Sequence, residues 1–329
     1  SARYAGLLRH PPLVERAAHA LGAGRLWSAT QLNDYGMCPF RFFARRLLTL
    51  EALDEPEEGY DVLQLGSINH AVLERAYRAI QREGLAIAPE NLPRARDLLD
   101  DAAADVFATA PENYGFRPSA VWRHEQVALL RRLRWLVEQD FSGSGPVDQW
   151  LKDVTDGAPR VPYALEAPFG LYDEPPIEID GAAGKLRLRG LIDRLDRAGD
   201  TIIVIDYKSG ATRFKEDDLS SGRNVQMLVY LLAAERLLKQ RGERARVYGG
   251  LFWHIGSRET SGAVAVDAEA LATARERLHI HVEAARAGQF VVKPSKPMAG
   301  GRCAFRCDYS AMCRLTRSGR RKPIQGDEP

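Results

Sequence analysis

Residues 191–208 read LIDRLDRAGDTIIVIDYK, and the fold turns on how this stretch pairs with itself. Two runs of β-forming character flank Gly199-Asp200, a pair suited to a two-residue hairpin loop. With that loop, Ala198 faces Thr201, and counting outward sets Asp193 directly opposite Asp206. Such cross-strand neighbours carry Cβ atoms about 4.5–5.5 Å apart. Period-two alternation then puts Asp206 and Lys208 on one face beside Ile202 and Val204, and Asp193 beside Leu191 and Leu195. A slip of one residue would send all of these side chains to the other face, so everything rests on the register.

Two carboxylates on an apolar face need compensation. They repel, and one takes up a proton unless a cation lies between them. A hard divalent ion is the usual answer: Mg²⁺ typically takes one or two carboxylates together with phosphate oxygens. Lys208 beside them would orient or help deprotonate an attacking water and stabilise charge developing on a phosphate. A D-x-K triplet alone is more often a solvated surface hairpin. The facing Asp193 sets this one apart.

Working outward, the residues after about Pro159 fall into short apolar runs bounded by Gly, Pro and Asp: YALEAPF, IEIDG and KLRLRG before the hairpin. A helix from about Asn224 to Lys239, a strand at Val247–His254 and a long helix from Ala268 to Gly288 follow it. The first half is helical. Ile68, Val72, Ala76 and Ile80 mark a helix over Leu65–Arg82, and two more cover Asn91–Ala108 and Ser119–Asp140. The last carries Arg123, Arg131, Arg132 and Arg134, read as a solvated face. Up to Leu48 the chain reads as short helices: Ser28 caps one, and Pro39 turns the run CPFRFFARRLL into another. The acidic stretch Glu51 to Tyr60 is an exposed link. The expected fold class is α/β, with a helical insertion in the N-terminal half. Residues 1–329 form a single domain, in which 61–158 are mainly helical and 159–290 form the α/β core.

With 45% hydrophobic and 27% charged residues, the 329-residue chain suits a globular protein with a sizeable core. No apolar run reaches eighteen residues, which argues against a membrane span. The N-terminus lacks a basic-then-apolar secretory layout, so a cytoplasmic address is expected. A net charge of +2 is too small to imply a nucleic-acid partner by itself.

In order along the chain stand GSINHAVLE with His70, GLIDRLD with Asp193, IDYKSG with Asp206 and Lys208, and NVQMLVY with Gln226 and Tyr230. This arrangement resembles the PD-(D/E)XK nuclease superfamily in its RecB-like branch. The resemblance implies a restriction-endonuclease-like central mixed sheet flanked by helices. It also implies a metal-dependent DNA nuclease, exo- rather than endonucleolytic, working in end processing or recombinational repair with Mg²⁺ or Mn²⁺. His70, Asp193, Asp206 and the Tyr207 carbonyl would hold the metal, and Lys208 would be the catalytic lysine. Gln226 and Tyr230, one helical turn apart, would face the active site and the nucleic-acid strand. Glu74, one turn after His70, and Glu166, in the strand-like EAPF run, are the two other carboxylates that could add to the site.

Cys303, Cys307 and Cys313 lie within eleven residues, and Cys38 stands far upstream. Thiolates grouped like this bind a soft metal or an iron–sulfur cluster, and Cys38 is the one candidate for a fourth ligand. The flank SATQLNDYGMCPFRFF is similar to the first-ligand segment of AddB-type nucleases, in which one cysteine before the core and three after it bind a [4Fe–4S] cluster. That resemblance makes 28–60 the first cluster-ligand segment, and 291–329 the cysteine cluster and basic tail. Here the late spacing is C-x3-C-x5-C instead of C-x2-C-x5-C, which keeps Zn²⁺ as an alternative. Either metal would clip the two ends of the chain together.

The tail carries Arg314, Arg317, Arg320 and Arg321, suited to DNA phosphates. Phe40, Phe42 and Phe43 are expected to pack around Cys38 in preference to stacking bases. DGAAGKL falls short of a phosphate-binding G-x-x-x-x-G-K-[ST], so this chain carries no ATP motor. The expected partners are DNA with single-stranded ends and a helicase subunit or domain, with no membrane. The alternative function is a non-cleaving DNA-binding scaffold stapled by an iron–sulfur cluster or zinc.

Overall fold

One long strand organises the protein, whose computed structural model describes residues 6–51, 60–181, 184–210, 213–214, 218, 221–294, 307–310 and 312–313. This strand, β4 (Leu186–Ala198), joins what the sequence suggested as two separate runs. Gly190 in its middle makes that continuity feasible: a Cβ there would lie 2.6 Å from the Phe169 ring. Around β4 stand β1 (Leu26–Ser28), β2 (Arg160–Phe169), β3 (Ile177–Ile179), β5 (Thr201–Lys208), β6 (Arg246–His254) and β7 (Glu259–Ala265). The first half of β4 pairs with β1 in parallel and with β3 antiparallel; its second half lies between β2 and β5, both antiparallel. β5 then pairs with β6 in parallel, and β6 with β7 antiparallel, so the sheet is mixed.

The hairpin register is the one its loop dictates. Ala198 pairs with Thr201, and the ladder runs through Leu195–Val204 to Arg194–Ile205. Gly199 takes φ +58°, a left-handed conformation that glycine adopts without steric cost.

Helices cover both faces. On one side lie α1 (Pro11–Ala20), α2 (Ala29–Met37), α8 (Gln226–Gln240) and α9 (Ala268–Arg286). Between α2 and the next helix, α3 (Pro39–Phe42) runs into a π-helical turn at Phe43–Leu47. On the other side lie α4 (Val62–Arg82), α5 (Leu92–Tyr114), α6 (Ala120–Asp140) and α7 (Pro146–Leu151). α2 starts with a capping box between Ser28 and Gln31, and α4 with one between Asp61 and Gln64. α5 runs past its expected end at Ala108. Ala110 is fully buried there, which holds the last turn in spite of Pro111, and Gly115 at φ +71° closes the helix. The α6 arginines are more than a solvated face: Arg134 grips Asp100 of α5 with two hydrogen bonds of 2.8 and 2.6 Å.

Each face of the sheet has its own core. Leu195, Ile202 and Val204 pack with α8, whereas Ile203, Ile205 and Tyr207 pack with α4 and α6. β5 is therefore buried on both sides as far as Tyr207. None of the described helices is long and apolar enough to cross a membrane.

Candidate active site

Where β4 and β5 splay, at the end of their ladder, the sequence-predicted residues come together. Asp193 lies one position beyond the last ladder pair, and its Oδ2 accepts the backbone N–H of Tyr207 at 2.8 Å. Asp206 is 1% exposed. Its Oδ1 accepts the Gln226 amide at 2.9 Å, and its Oδ2 is in contact with the Lys208 ammonium. Lys208 also donates to Gln226 Oε1 at 3.0 Å and lies 5.2 Å from the centre of the Phe252 ring. Gln226, the first residue of α8, thus joins both members of the D-x-K pair, and it donates to the Tyr230 hydroxyl one turn on. Tyr230 is buried, and that burial raises its pKa well above the ordinary tyrosine value.

His70 enters from α4. Its Nδ1 stands 3.4 Å from Asp193 Oδ2, and its ring meets Tyr207 edge to face. Burial works against the charged ring, but the hydrogen bond and charge of Asp193, with the charge of Asp206, outweigh it and raise the His70 pKa. Burial and the charge of Asp193 push Asp206 up to about 6, with Lys208 pulling the other way. Glu166 on β2 rises to about 7, through burial and then the charges of Asp193 and Glu74. A site that holds its own carboxylates partly protonated is short of positive charge.

Among the described residues, His70, Glu166 and Asp193 form one group whose ligand atoms lie within 4.8 Å of each other, close enough to share a metal ion. An imidazole and two carboxylates suit a hard-to-borderline divalent ion. These residues line a cleft of about 850 Å³, with Asp206, Lys208, Gln226 and Tyr230 on its wall and Ser28, Val62 and Arg189 also on its lining.

Behind this cleft lies a second charged assembly that sequence reasoning missed. Arg194, fully buried, donates to both oxygens of Asp196 (2.7 and 2.5 Å) and to the Tyr207 hydroxyl at 2.8 Å. It also pairs with Asp140 at 2.8 Å and stacks on the Tyr77 ring. Arg160 pairs with Asp196 at 2.7 Å and with Asp140 at 2.6 Å. The available signal was alternation: charged Arg194 and Asp196 point away from the Asp193 face, into a core where charge needs partners.

The PD-(D/E)XK nuclease superfamily model matches residues 26–314. The chain belongs to that superfamily. Its chemistry is accordingly phosphodiester hydrolysis. Curated relatives, each named as a subunit of an ATP-dependent helicase/deoxyribonuclease, include one from Symbiobacterium thermophilum, 31% identical over 242 residues, 68% of this chain and 19% of that protein. Others come from Clostridium kluyveri (28% over 213 residues, 62% of this chain and 17% of that protein) and Carboxydothermus hydrogenoformans (25% over 274 residues, 76% and 23%). The chain therefore spans about a fifth of the length of these relatives.

The cysteine centre is described in part. Cys38 is half-buried between α2 and α3. Burial pushes its thiol pKa up, while the backbone N–H groups of Arg41, Lys293 and Phe40 bond to its sulfur and act the other way. Cys313, buried, is near enough for its charge to act on Cys38, and the Tyr309 hydroxyl ties the same tail segment to the Leu50 carbonyl at 2.9 Å. Cys307 is half-buried. Cys303 and the predicted DNA-contacting Arg314, Arg317, Arg320 and Arg321 lie outside the described residues. Of the aromatics near Cys38, Phe42 is fully buried against Trp27 and Phe290, and Phe43 stacks on Phe290 at 4.8 Å; both serve packing.

Proposed function

We propose that this chain is the DNA-cleaving module of a helicase–nuclease, and that His70, Asp193, Asp206 and the Tyr207 carbonyl hold a Mg²⁺ or Mn²⁺ ion in the cleft. The observation that carries this is the convergence of His70, Asp193, Asp206, Lys208 and Gln226 at the open end of one hairpin. Bound there, the ion would polarise a phosphoryl oxygen and acidify a water. Lys208 keeps its ammonium at the cleft wall because Asp206 and Gln226 hold it from behind, ready to orient the water and meet charge on the phosphate. Gln226 fixes the Lys208–Asp206 spacing, and Tyr230 fixes Gln226 in turn.

The substrate is DNA with single-stranded ends, attacked as by an exonuclease, in end processing or recombinational repair in the cytoplasm. The names of the relatives support deoxyribonuclease activity and a helicase partner. Cys38, Cys303, Cys307 and Cys313 would hold a [4Fe–4S] cluster that clips residue 38 to the tail; three backbone N–H groups on Cys38 suit a thiolate bound to metal. A broad visible absorbance band distinguishes that cluster from zinc.

The test is digestion of end-labelled single- and double-stranded DNA with and without Mg²⁺. Metal-dependent release of nucleotides from ends by the wild type is expected. DNA binding with no metal-dependent cleavage would show the chain to be a scaffold instead.

A further inference from the structure

Strand β2 runs beside β4 with Leu165 opposite Arg194 and Ala167 opposite Ile192, which sets Glu166 across from Asp193. At this point the pleat changes phase. Leu165 belongs to the core under α4–α7, whereas Ala167 and Phe169 belong to the core under α8. On a regular strand, residues two apart share a face. The inversion occurs at Glu166 itself, at φ +45°, the one positive-φ non-glycine residue inside a strand among those described. Positions held in this region are retained where the surrounding structure over-determines them, and they gather at ligand sites. The crease brings the Glu166 carboxylate to the mouth of the same cleft as His70 and Asp193, within the 4.8 Å that defines their common group.

Asp206 is disposed differently. Its Oδ1 accepts the Gln226 amide, and its buried Oδ2 touches the Lys208 ammonium but has no hydrogen-bond partner. It falls outside that three-residue group while keeping one oxygen open to a cation. Glu74, the other carboxylate nearby, is bound to Arg78 at 2.8 Å.

We propose that Glu166 is a further direct ligand of the divalent cation, sharing it with His70, Asp193 and Asp206. This inference rests on the metal-dependent nuclease reading and adds a ligand to its centre. The cation then lies within reach of β2, and the creased backbone at Glu166 serves to deliver this further side-chain ligand.

The experiment is Mn²⁺ titration of the full chain, without DNA, followed by calorimetry and by the electron paramagnetic resonance of free Mn²⁺. Wild type, Glu166→Gln, Glu166→Asp and Glu74→Gln are compared, each first checked for folding by circular dichroism. Glu166→Gln is expected to weaken Mn²⁺ binding tenfold or more. Glu166→Asp, one methylene short, should weaken it several-fold, and Glu74→Gln should stay within twofold of wild type. Wild-type Mn²⁺ affinity in both Glu166 variants overturns the proposal while leaving Mn²⁺-dependent DNA cleavage by the wild type intact. An equal loss in Glu74→Gln overturns it too, because the effect would then come from summed charge and not from a ligand. Absence of both Mn²⁺ binding and cleavage in the wild type would remove the nuclease reading along with it.

Discussion

The two faces of the 191–208 hairpin carry the same residue types under opposite conditions. On one face, Asp193 and Asp206 stand with Glu166 in a cleft, one lysine among them, and two of the three carboxyls are pushed toward neutrality. On the other, Asp196 and Asp140 are wrapped by Arg194 and Arg160, all four buried. Residues next to one another in sequence, Asp193 and Arg194, belong to different assemblies. The second draws its counter-charges from within the protein. The first is left short of positive charge, and an open, under-compensated carboxylate group is what a metal and a phosphate can complete. Burial alone therefore does not mark a site; burial without internal compensation does.

The largest expected effect separates the faces by activity. Lys208→Ala should lower metal-dependent cleavage by about 1000-fold, the scale of losing one transition-state charge stabiliser. DNA binding, measured by fluorescence anisotropy, should change by only a few-fold. Cleavage at the wild-type rate would show that this face is not where the chemistry occurs.

On the opposite face the effect should appear in stability. Arg194→Met leaves Asp196 and Asp140 buried with Arg160 alone between them, one cation for two carboxylates, which costs about 3–5 kcal/mol in urea unfolding. The double variant Arg194→Met, Asp196→Leu should recover part of the loss, since it removes an uncompensated charge. A neutral single variant would mean that the two assemblies do not differ as described.

That contrast was half legible in the sequence. The register could be read because Gly199-Asp200 sets the loop and alternation does the rest, so Asp193, Asp206 and Lys208 came out together. α4 was legible from apolar spacing over Leu65–Arg82, though its true start, Val62 capped by Asp61, lies earlier; α6 fell within the expected Ser119–Asp140. The Arg194 assembly was not legible, because its partners, Asp140 and Arg160, arrive from another helix and another strand, and no local pattern links them. β1 has three residues and exists by pairing with β4, while β7 has a mostly exposed face; neither carries an apolar pattern of its own. Glu166 could be placed on a strand, but the crease that turns it into the cleft depends on packing from both cores.

The faces should also give opposite pH slopes in metal-free protein. Glu166 and Asp206 have pKa values raised by burial to about 7 and about 6, so between pH 4 and 7 the folded state holds protons that the unfolded chain has lost. Their contribution is complete below the ordinary carboxylate range and is lost as pH rises through those values. For Asp140, burial opposes ionisation, but the charges of Arg160 and Arg194 prevail and lower its pKa. Its contribution is present above the ordinary carboxylate range and is lost as pH falls. Unfolding midpoints with chelator present should therefore carry a component that declines from about pH 4 to 7, set against the rise from His281, whose burial lowers its pKa to about 4. Glu166→Gln and Asp206→Asn should each flatten that decline, and Mn²⁺ should oppose it. A decline unchanged in both variants would assign it to other groups.

The smallest effect tests the joint between the faces. Tyr207 takes part in both: its hydroxyl accepts from Arg194, its N–H holds Asp193, and its ring supports His70. Tyr207→Phe removes only the hydroxyl and leaves one Arg194 donor unmet, a cost of about 1–2 kcal/mol in unfolding. The ring and backbone remain, so His70 and Asp193 keep their contacts but lose the anchor that fixes the strand end. Mn²⁺ binding should weaken by roughly two- to fivefold, since outer contacts tune a metal site less than its ligands do. Loss of stability with unchanged Mn²⁺ affinity would show that the buried assembly stabilises the fold without reaching the cleft. Loss of both in proportion would make Tyr207 the link through which the satisfied face of the hairpin steadies the open one.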